Sequence, residues 1–354
     1  MNILAFDTSC DETAVAVTHD LNTVSNCIWS QASLHTTTGG VIPSIAQREH
    51  QARIDFVTRK ALGKQFKNLK NINAVAVTIG PGLAVALGVG INKAKELATK
   101  HKLPLIPVNH IEAHLLSSFA IPNSLAINHQ SLITFPCLGL ILSGGTTILC
   151  LVKNIGEYEI LAETQDDALG EALDKGARLL GLGYPGGAIL EKLAKKGNPD
   201  RFKLPIPLIN DRIKDRFSYS GLKTAFVRLF EGITDPNKQD LADLAASYQK
   251  TAFEHILRVL EYQIISSKLE IKNLLFGGGV ANNVEIKKML RKVCRKHNIK
   301  LHTPYTKKLN GDNAGMIGVC AYLKNRMLNA KKLNNKCGSK KHIESTDRNP
   351  RIGI

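Results

Sequence analysis

Short apolar runs separated by polar turns occur in the same order in both halves of the chain. Residues 2–20 read NILAF-DTSCDET-AVAVTHD, and residues 138–154 read LGLIL-SGGTT-ILCLVKN. Each stretch is an apolar run, a polar turn ending in threonine, and a second apolar run. This pattern is typical of two strands joined by a turn and predicts a β-hairpin in each half.

A second repeated unit follows each predicted hairpin. Residues 71–108 carry AVAVTIGPG, a helix-like stretch and LPLIPV, whereas residues 272–304 carry NLLFGGGV, a helix-like stretch and IKLHTP. Both predict a β-α-β unit. A hairpin followed by a β-α-β unit in each half predicts a two-lobed α/β protein. We expect its glycine-rich turns to meet in a cleft suited to a nucleotide or another phosphate-bearing ligand.

The length of 354 residues is sufficient for two lobes that each have a core. The first lobe is predicted at residues 1–119 and the second at residues 137–310. A last helix at residues 313–328 is expected to pack back on the first lobe. Residues 331–354 are polar and basic, and we expect them to be poorly ordered. The first residues show no secretory pattern and the chain has no long apolar run, so we expect neither export nor a membrane span.

The net positive charge of the chain suggests a polyanionic partner. The chain has 47 Lys and Arg against 30 Asp and Glu, a net charge of +17. Such a surface attracts polyanions, although a lysine-rich proteome would produce the same balance. Aromatic residues make up only 5% of the chain, which favours contact with the backbone of a folded RNA over base stacking. Seven cysteines without a C-x-x-C pair indicate a reducing cytosol.

The sequence HIEAH contains a candidate metal-binding pair. His110 and His114 are four residues apart and share one face of a predicted helix, where they could bind one divalent metal or serve as surface or capping residues. Glu112 lies roughly 200° around that helix from the first histidine, so it cannot act as the base of an H-E-x-x-H protease. Asp312 is the candidate third ligand, or alternatively a helix N-cap. Two imidazoles and a carboxylate suit iron or zinc.

Polar and glycine-rich turns supply the other candidate chemistry. The turn at residues 143–147 (SGGTT) and the turn at residues 277–279 (GGG) each follow a predicted strand. Glycine allows a ligand to approach the backbone closely, and the helix start after GGG favours an anion. The first turn, residues 7–13 (DTSCDET), could position a metal, a phosphate or a water, or could be an ordinary polar loop. Asp11 and Glu12 are our candidates for handling a proton.

Nine segments occur in the order of one known family. They are DTSCDET, TTGGVIPSIAQREH, GPGLAVALGVG, VNHIEAH, LILSGGTT, ALDKGARLLGLGYPGG, FSYSGLKTA, FGGGVANN and DNAGMIG. Over residues 2–328 the chain resembles the tRNA threonylcarbamoyladenosine transferases of bacterial type, formerly called the glycoprotease or O-sialoglycoprotein endopeptidase family. The resemblance implies the fold of actin and the sugar kinases, in agreement with the internal duplication.

The resemblance also implies an activity and its requirements. We expect transfer of a threonylcarbamoyl group from threonylcarbamoyl-AMP to the exocyclic amine of the adenosine 3′ of the anticodon, in tRNAs that read codons beginning with A. We expect the family's metal, Fe²⁺ first and zinc second, at His110, His114 and Asp312. The expected partners are a paralogous subunit of the same fold and a small ATPase, in the cytoplasm. The family's substrate-contacting positions match Leu142, Ser143, Gly144, Gly145, Thr146, Asp174, Gly187 and Asn282.

This chain departs from the family pattern at two places. Thr146 stands where the family has the histidine of S-G-G-H-T, and Ser44 and Gln47 stand within the family's G-G-V-x-P-E-x-A-S-R motif. Three other functions remain possible. A glycoprotein-cleaving metalloprotease conflicts with the position of Glu112. A sugar or acetate kinase leaves the histidine pair unexplained. A non-catalytic scaffold has no use for two histidines and Asp312 together.

Overall fold

The computed structural model describes residues 1–36, 40–66, 69–122, 133–183, 185–267, 269–330 and 340–354. The chain divides into two compact units. Unit 1 comprises Met1–Ile133, Asn154–Glu157 and Thr303–Ile354, and unit 2 comprises Thr134–Lys153 and Tyr158–His302.

Unit 1 is built on a five-stranded sheet in the order β3-β2-β1-β4-β5. β1 pairs antiparallel with β2 and β2 with β3, whereas β1, β4 and β5 run parallel. Its first elements are β1 (Asn2–Asp7), β2 (Glu12–His19), β3 (Asn22–Ser30), α1 (Ala32–His35), α2 (Pro43–Leu62), β4 (Ala74–Gly80), α3 (Ala84–His101), β5 (Leu105–Asn109) and α4 (His110–Leu116). A short 3₁₀ helix, Ser117–Phe119, follows.

The central strands of this sheet are buried on both faces, as their unbroken apolar sequences require. Leu4 and Phe6 of β1 pack into one core with α2 and α3. Ile3 and Ala5, which alternate with them, face a second core on the opposite side. Pro43 occupies the first turn of α2, where its missing N–H costs no helical hydrogen bond.

Unit 2 is built on a six-stranded sheet in the order β11-β10-β6-β7-β8-β9. β6 pairs antiparallel with β7, and β10 runs parallel to both β6 and β11. Its elements are β6 (Cys137–Leu142), β7 (Thr147–Asn154), β8 (Glu157–Thr164), α5 (Leu169–Leu179), α6 (Gly186–Ala194), β9 (Arg216–Phe217), α7 (Ser220–Glu231), α8 (Lys238–Ser266), β10 (Asn273–Gly277), α9 (Val284–Lys296) and β11 (Lys300–His302).

The predicted duplication is confirmed strand by strand. In unit 1, β1 lies between its hairpin partner β2 and the parallel strand β4 of the β-α-β unit. In unit 2, β6 lies in the same way between β7 and the parallel strand β10. The polar turns named from the sequence therefore follow the carboxyl ends of equivalent strands, β1 in one unit and β6 in the other.

The end of the chain corrects one predicted boundary. The helix α10 (Ala314–Ala330) contributes Met316 and Ile317 to the unit 1 core. Residues 303–310 belong to unit 1 as well, and not to the second lobe as predicted for residues 137–310. The physical reason is Leu309, in the short 3₁₀ helix Lys307–Leu309, which is buried in that same core.

The prediction of a poorly ordered tail at residues 331–354 is wrong for its described part. Residues 331–339 lie outside the described residues, but α11 (Lys340–Ser345) follows them. Ile343 is buried in the core against α2 and α3. Beyond α11, the backbone N–H of Asn349 donates to the carbonyl of Ile79 at 2.6 Å. A buried apolar side chain and backbone hydrogen bonds thus order the described part of a segment whose overall composition is polar.

Candidate active site

The two histidines lie at the start of α4, immediately after β5. Asn109 ends the strand and caps the helix, because its Oδ1 accepts hydrogen bonds from the backbone N–H groups of Ile111 and Glu112 at 2.8 and 3.1 Å. His110 is therefore the first helical residue, and His114 follows one turn later on the same face. Their rings meet edge to face, with centroids 4.6 Å apart.

Asp312 brings a carboxylate between these histidines. Its Oδ1 lies 3.1 Å from His114 Nε2 and 3.5 Å from His110 Nε2. The three residues each offer a ligand atom, and all three atoms lie within 4.8 Å of one another. The loop before α10 therefore brings the sequence-predicted third residue to the histidine pair, across nearly 200 positions of sequence.

The alternative role for Asp312, an N-cap of the last helix, is taken by its neighbour. Asn313 Oδ1 accepts a hydrogen bond from the backbone N–H of Met316 at 3.0 Å, and the Asn313 side chain is fully buried. Because Asn313 satisfies the helix start, the Asp312 carboxylate is directed to the histidines instead. The sequence N-G-D-N-A-G thus separates the capping function from the candidate ligand function.

Asp7, at the end of β1, faces the other side of His110. Its Oδ2 lies 3.5 Å from His110 Nδ1, and both atoms are buried without a hydrogen-bond partner among the described residues. A carboxylate beside the second nitrogen of a histidine ligand is a common arrangement in metal sites, where it fixes the ring and its tautomer. A cation bound at the two Nε2 atoms and Asp312 would orient the Nδ1–H of His110 toward Asp7. The donor set therefore fits a divalent metal.

The electrostatics of this cluster favour positive charge. Burial opposes protonation of His110, but the negative charges of Asp312 and Asp7 outweigh it and raise the pKa of His110 well above its ordinary value. Burial likewise acts against ionisation of Asp312, yet His110 and His114 hold the pKa of that carboxyl well below its usual range. Two carboxylates that attract a proton to an imidazole attract a metal cation to the same place.

Glu112 takes no part in the cluster. Its side chain is 4% exposed, and its Oε2 accepts a hydrogen bond from Lys324 Nζ of α10 at 2.8 Å. Its position on α4 is the one expected from the helical spacing, away from the face that carries the histidines. A metalloprotease would require this carboxylate beside the metal, so the observed ion pair argues against that function.

The first hairpin turn contains the two predicted proton-handling residues. Glu12 Oε1 accepts a hydrogen bond from Ser30 Oγ at 3.0 Å. Burial, followed by the charges of Asp312 and Asp11, raises the pKa of Glu12 to about 10. The raised pKa favours the protonated carboxyl, which can donate a hydrogen bond. His50 of α2 contacts this turn, because its Nε2 lies 3.0 Å from the carbonyl oxygen of Cys10.

Unit 2 contains a separate cavity of about 260 Å³. Four of the predicted substrate-contacting residues line it: Gly144, Asp174, Gly187 and Asn282. The other four, Leu142, Ser143, Gly145 and Thr146, are not among its lining residues. Pro185, Glu191 and Asn283 also line the cavity and were not anticipated from the sequence.

Hydrogen bonds fix the walls of this cavity. Asp174 Oδ1 accepts the backbone N–H of Gly187 at 2.6 Å, which ties α5 to the start of α6. Burial raises the pKa of Asp174 despite this bond. Glu191 Oε1 accepts the backbone N–H of Val284 at 3.1 Å and thereby joins α6 to α9. The signal for Glu191 in the sequence was its position four residues after Gly187, on the same helix face.

Close backbone contacts require glycine at two positions in and beside these turns, Gly278 and Gly170. Gly278 has a φ of +94°, and a Cβ there would lie 2.3 Å from the carbonyl oxygen of Leu142. A Cβ at Gly170 would lie 2.5 Å from the carbonyl oxygen of Ser143, whose turn it supports. The two glycine-rich segments therefore pack against each other within unit 2, as the ends of the parallel strands β6 and β10 require.

Comparison with known proteins identifies the family. The family model for tRNA N6-adenosine threonylcarbamoyltransferase (TsaD) matches residues 22–319. The chain belongs to this family. The protein of that name from Trichlorobacter lovleyi is 43% identical over 91% of this chain and 92% of its own length. Its counterpart from Rippkaea orientalis is 43% identical over 90% of each chain.

As a member of the threonylcarbamoyltransferase family, the protein is an enzyme of the transferase class and acts in tRNA modification.

A solved structure of full-length HypF, in its phosphate- and nucleotide-bound form, matches 92% of this chain and 46% of that longer protein, with 14% identity and a TM-score of 0.56. This likeness concerns the fold alone and confirms the predicted actin-like, sugar-kinase-like α/β class. Within the described residues, no helix is long and apolar enough to cross a membrane.

Proposed function

We propose that this threonylcarbamoyltransferase transfers the threonylcarbamoyl group of threonylcarbamoyl-AMP to the exocyclic amine of the adenosine 3′ of the anticodon. The substrates would be tRNAs that read codons beginning with A, in the cytoplasm. The observation that carries the proposal is the convergence of His110, His114 and Asp312 within 4.8 Å in a chain of this family. A phosphate-binding kinase would have no need of this cluster.

The metal is proposed as Fe²⁺, with Zn²⁺ as the alternative. Two imidazole nitrogens and one carboxylate oxygen suit either ion and leave coordination positions open. When bound, the metal would supply Lewis-acid polarisation of the threonylcarbamoyl group. Asp7 would orient the ring of His110, and Asn109 would fix the first turn of α4 that carries it.

The adenylate part of the donor is proposed to bind the unit 2 cavity. The backbone N–H groups of its glycine-rich turns can donate hydrogen bonds to a phosphate, because no side chain at Gly144 or Gly279 restricts access. Asp174 offers a carboxylate for a ribose hydroxyl or a neighbouring polar group, and Asn282, which also lines the cavity, would lie near the nucleotide. AMP would leave from this cavity after transfer.

The accepting amine must lose a proton as it attacks the carbonyl carbon. Asp11 and Glu12 are the two predicted candidates to accept that proton, and the raised pKa of Glu12 favours its protonated form. Glu12 would donate a hydrogen bond or position the group. Replacement of both by amides should lower the transfer rate, and an undiminished rate would exclude both roles.

The tRNA is proposed to contact the basic helix α9, whose sequence is VEIKKMLRKVCRK. Arg291, Lys292 and Arg295 are exposed, and none has a carboxylate within ion-pair distance in the part of the chain that the structure describes. Unpaired, exposed cations on one helix face are available for phosphates. Arg291→Glu with Arg295→Glu should weaken tRNA binding and reduce its salt dependence.

A matched control for that experiment is Lys100→Glu with Lys102→Glu. These exposed lysines lie at the end of α3 in unit 1, and the change in net charge is the same. If both double variants weaken binding equally, the effect comes from overall charge and α9 is not the contact surface.

The proposal also includes a paralogous subunit of the same fold and a small ATPase as partners.

The experiment that tests the function is nucleoside mass spectrometry on a transfer reaction. It contains this protein, the bacterial partner proteins, threonylcarbamoyl-AMP and an unmodified tRNA that reads a codon beginning with A. We expect modified adenosine from the unaltered protein and none from the His110→Ala, His114→Ala double variant. His101→Ala, an exposed histidine on α3, is the control that should retain activity.

Two results would contradict the proposal. Full product from the double variant would exclude the histidine pair from the reaction. No product from the unaltered protein, with the partners shown to be competent by a relative's enzyme, would favour a kinase or a non-catalytic scaffold. ATP turnover stimulated by a small hydroxyl compound would then separate those two functions.

A further inference from the structure

The last residues of the chain lie against the loops that carry the metal cluster. After α11, the N–H of Asn349 donates to the carbonyl of Ile79 at 2.6 Å, and the N–H of Gly82 donates to the carbonyl of Pro350 at 3.2 Å. These two bonds join residues 348–353, here called the C-terminal brace, to the end of β4 and the loop between β4 and α3. The brace lies beyond the matched family region, which ends at residue 319.

The fit between the brace and this loop is close. A Cβ at Gly80 would lie 1.8 Å from the carbonyl oxygen of Asn349, so no other residue could stand at that position without displacing the brace. Arg348 adds a side-chain contact, because its Nη1 lies 3.4 Å from the carbonyl oxygen of Ala84. Upstream, Ile343 anchors the segment in the apolar core.

The same loop supports the turn that follows Asp7. The N–H of Leu83 donates to the carbonyl of Ser9 at 2.8 Å, and a Cβ at Gly82 would lie 2.5 Å from that oxygen. Ser9 in turn donates its backbone N–H to Asp7 Oδ1 at 3.3 Å. The brace is therefore connected, through one loop, to the carboxylate that faces His110.

A second contact reaches the other side of the cluster. Asn109 Nδ2 donates a hydrogen bond to the carbonyl of Gly353 at 2.7 Å, while its Oδ1 caps the helix that begins with His110. The amide of Asn109 can make both contacts only in one orientation, with its oxygen toward α4 and its nitrogen toward the brace. Gly353 thus fixes the cap that places the first histidine.

We infer that the C-terminal brace is a positioning element of the metal centre, which holds Asp7 beside Nδ1 of His110 and fixes the cap of the helix that carries both histidines. This inference rests on the proposed metal site. It assigns a function to a polar segment that forms no part of the ligand set. Groups that orient metal ligands from outside the coordination sphere commonly change metal affinity roughly 10-fold or more when they are removed.

The test measures Zn²⁺ binding by competition with a chromophoric chelator, at a temperature where circular dichroism shows every variant folded. Asn109→Ser keeps an oxygen that can cap α4 but removes the donor to Gly353. A chain that ends at Ile352 removes the acceptor instead. We expect each change to weaken Zn²⁺ binding roughly 10-fold, and the two together to weaken it no further, because both break the same hydrogen bond.

The matched control is Asn237→Ser. Asn237 caps α8 in unit 2 with the same pair of hydrogen bonds, at 2.8 and 3.0 Å, so its replacement should leave Zn²⁺ affinity unchanged. If the folded Asn109→Ser and shortened proteins bind Zn²⁺ with unchanged affinity, the inference that the brace positions the metal centre is overturned, even if their melting temperatures fall. Failure of the unaltered protein to bind either Zn²⁺ or Fe²⁺ would overturn the metal assignment, and the inference about the brace with it.

Discussion

The ion pair between Glu112 and Lys324 tests whether the third residue of HIEAH is structural or catalytic. Glu112 Oε2 and Lys324 Nζ are 2.8 Å apart, and the glutamate side chain is 4% exposed whereas the lysine side chain is 32% exposed. At an effective dielectric constant of about 20, their direct attraction is on the order of 6 kcal/mol. Most of this attraction offsets the desolvation of the two charges.

Removal of one partner is expected to cost far more than removal of both. Lys324→Met removes the ammonium that pairs with the buried Glu112 carboxylate, which should lower the free energy of unfolding by about 3 kcal/mol, the lower end of the range for buried pairs. The partial exposure of Lys324 is the reason for the lower value. The double variant, with Glu112→Gln added, should recover to within about 1 kcal/mol of the unaltered protein, because no buried charge remains.

The assay uses the single tryptophan of the chain. Trp29 lies on β3 in unit 1, so its fluorescence during urea unfolding reports on the unit that contains the ion pair. Asp55→Asn provides the control: Asp55 also pairs with a lysine, Lys93, at 2.8 Å, but its side chain is 64% exposed. Loss of this exposed pair should change stability by less than about 1 kcal/mol.

The transfer reaction decides between the two roles of Glu112. If the residue is structural, Glu112→Gln should retain transfer at temperatures below its unfolding transition. The reasoning is refuted if the folded Glu112→Gln protein, with unaltered Zn²⁺ binding, loses transfer activity. It is also refuted if Lys324→Met and the double variant are equally stable.

Three other perturbations have defined outcomes. Burial, followed by the charges of neighbouring cations, lowers the pKa of His255 from 6.5 to about 4. The free energy of unfolding should therefore fall by about 3 kcal/mol between pH 6.5 and pH 4. The His255→Gln variant should not show this pH-dependent fall during acid unfolding. Gly278→Ala, which places a Cβ 2.3 Å from the carbonyl oxygen of Leu142, should destabilise unit 2 by about 2 kcal/mol or more in thermal unfolding, whereas Gly156→Ala, with no atom within 4 Å of its Cβ, should cost less. Zn²⁺ at 100 times its dissociation constant should stabilise the protein by about 2.7 kcal/mol in calorimetry, and His114→Ala should remove that gain.

The acid prediction for His255 follows from which state binds the proton. In the folded protein His255 Nε2 accepts a hydrogen bond from the backbone N–H of Ser218 at 3.2 Å, so the neutral ring is the form that fits. The unfolded chain binds a proton near pH 6.5 and the folded chain only near pH 4, so stability is present above pH 6.5 and is lost as the pH falls toward 4. A constant stability across that interval would show that the folded site accepts the proton.

The fold could be predicted because its signals are local. The strands β1 and β6 are unbroken apolar runs, and each is followed by a polar turn and a second apolar run. The runs are unbroken because both faces of each sheet are buried. The helical spacing of His110 and His114 was visible for the same reason. What local patterns do not contain is the packing of loops against one another, which decided the role of Asp7 and the position of residues 303–310.

The separation of roles between Asp312 and Asn313 illustrates this limit. Both residue types cap helices well, and both precede α10, so sequence preference alone assigns the cap to either. The structure distinguishes them because Asn313 is fully buried and bonded to Met316, which leaves the carboxylate of Asp312 beside two imidazoles. An amide at the cap places no charge in the core.

The C-terminal segment shows how a prediction from composition can fail at a functional position. Residues 331–354 are rich in lysine and asparagine, which is typical of an unfolded tail. The end of this segment forms hydrogen bonds through its own backbone, at the N–H of Asn349 and the carbonyls of Pro350 and Gly353, so these bonds do not depend on the side chains of the segment. Backbone pairing of this kind leaves little trace in composition, yet it connects the end of the chain to the residue that caps the histidine helix.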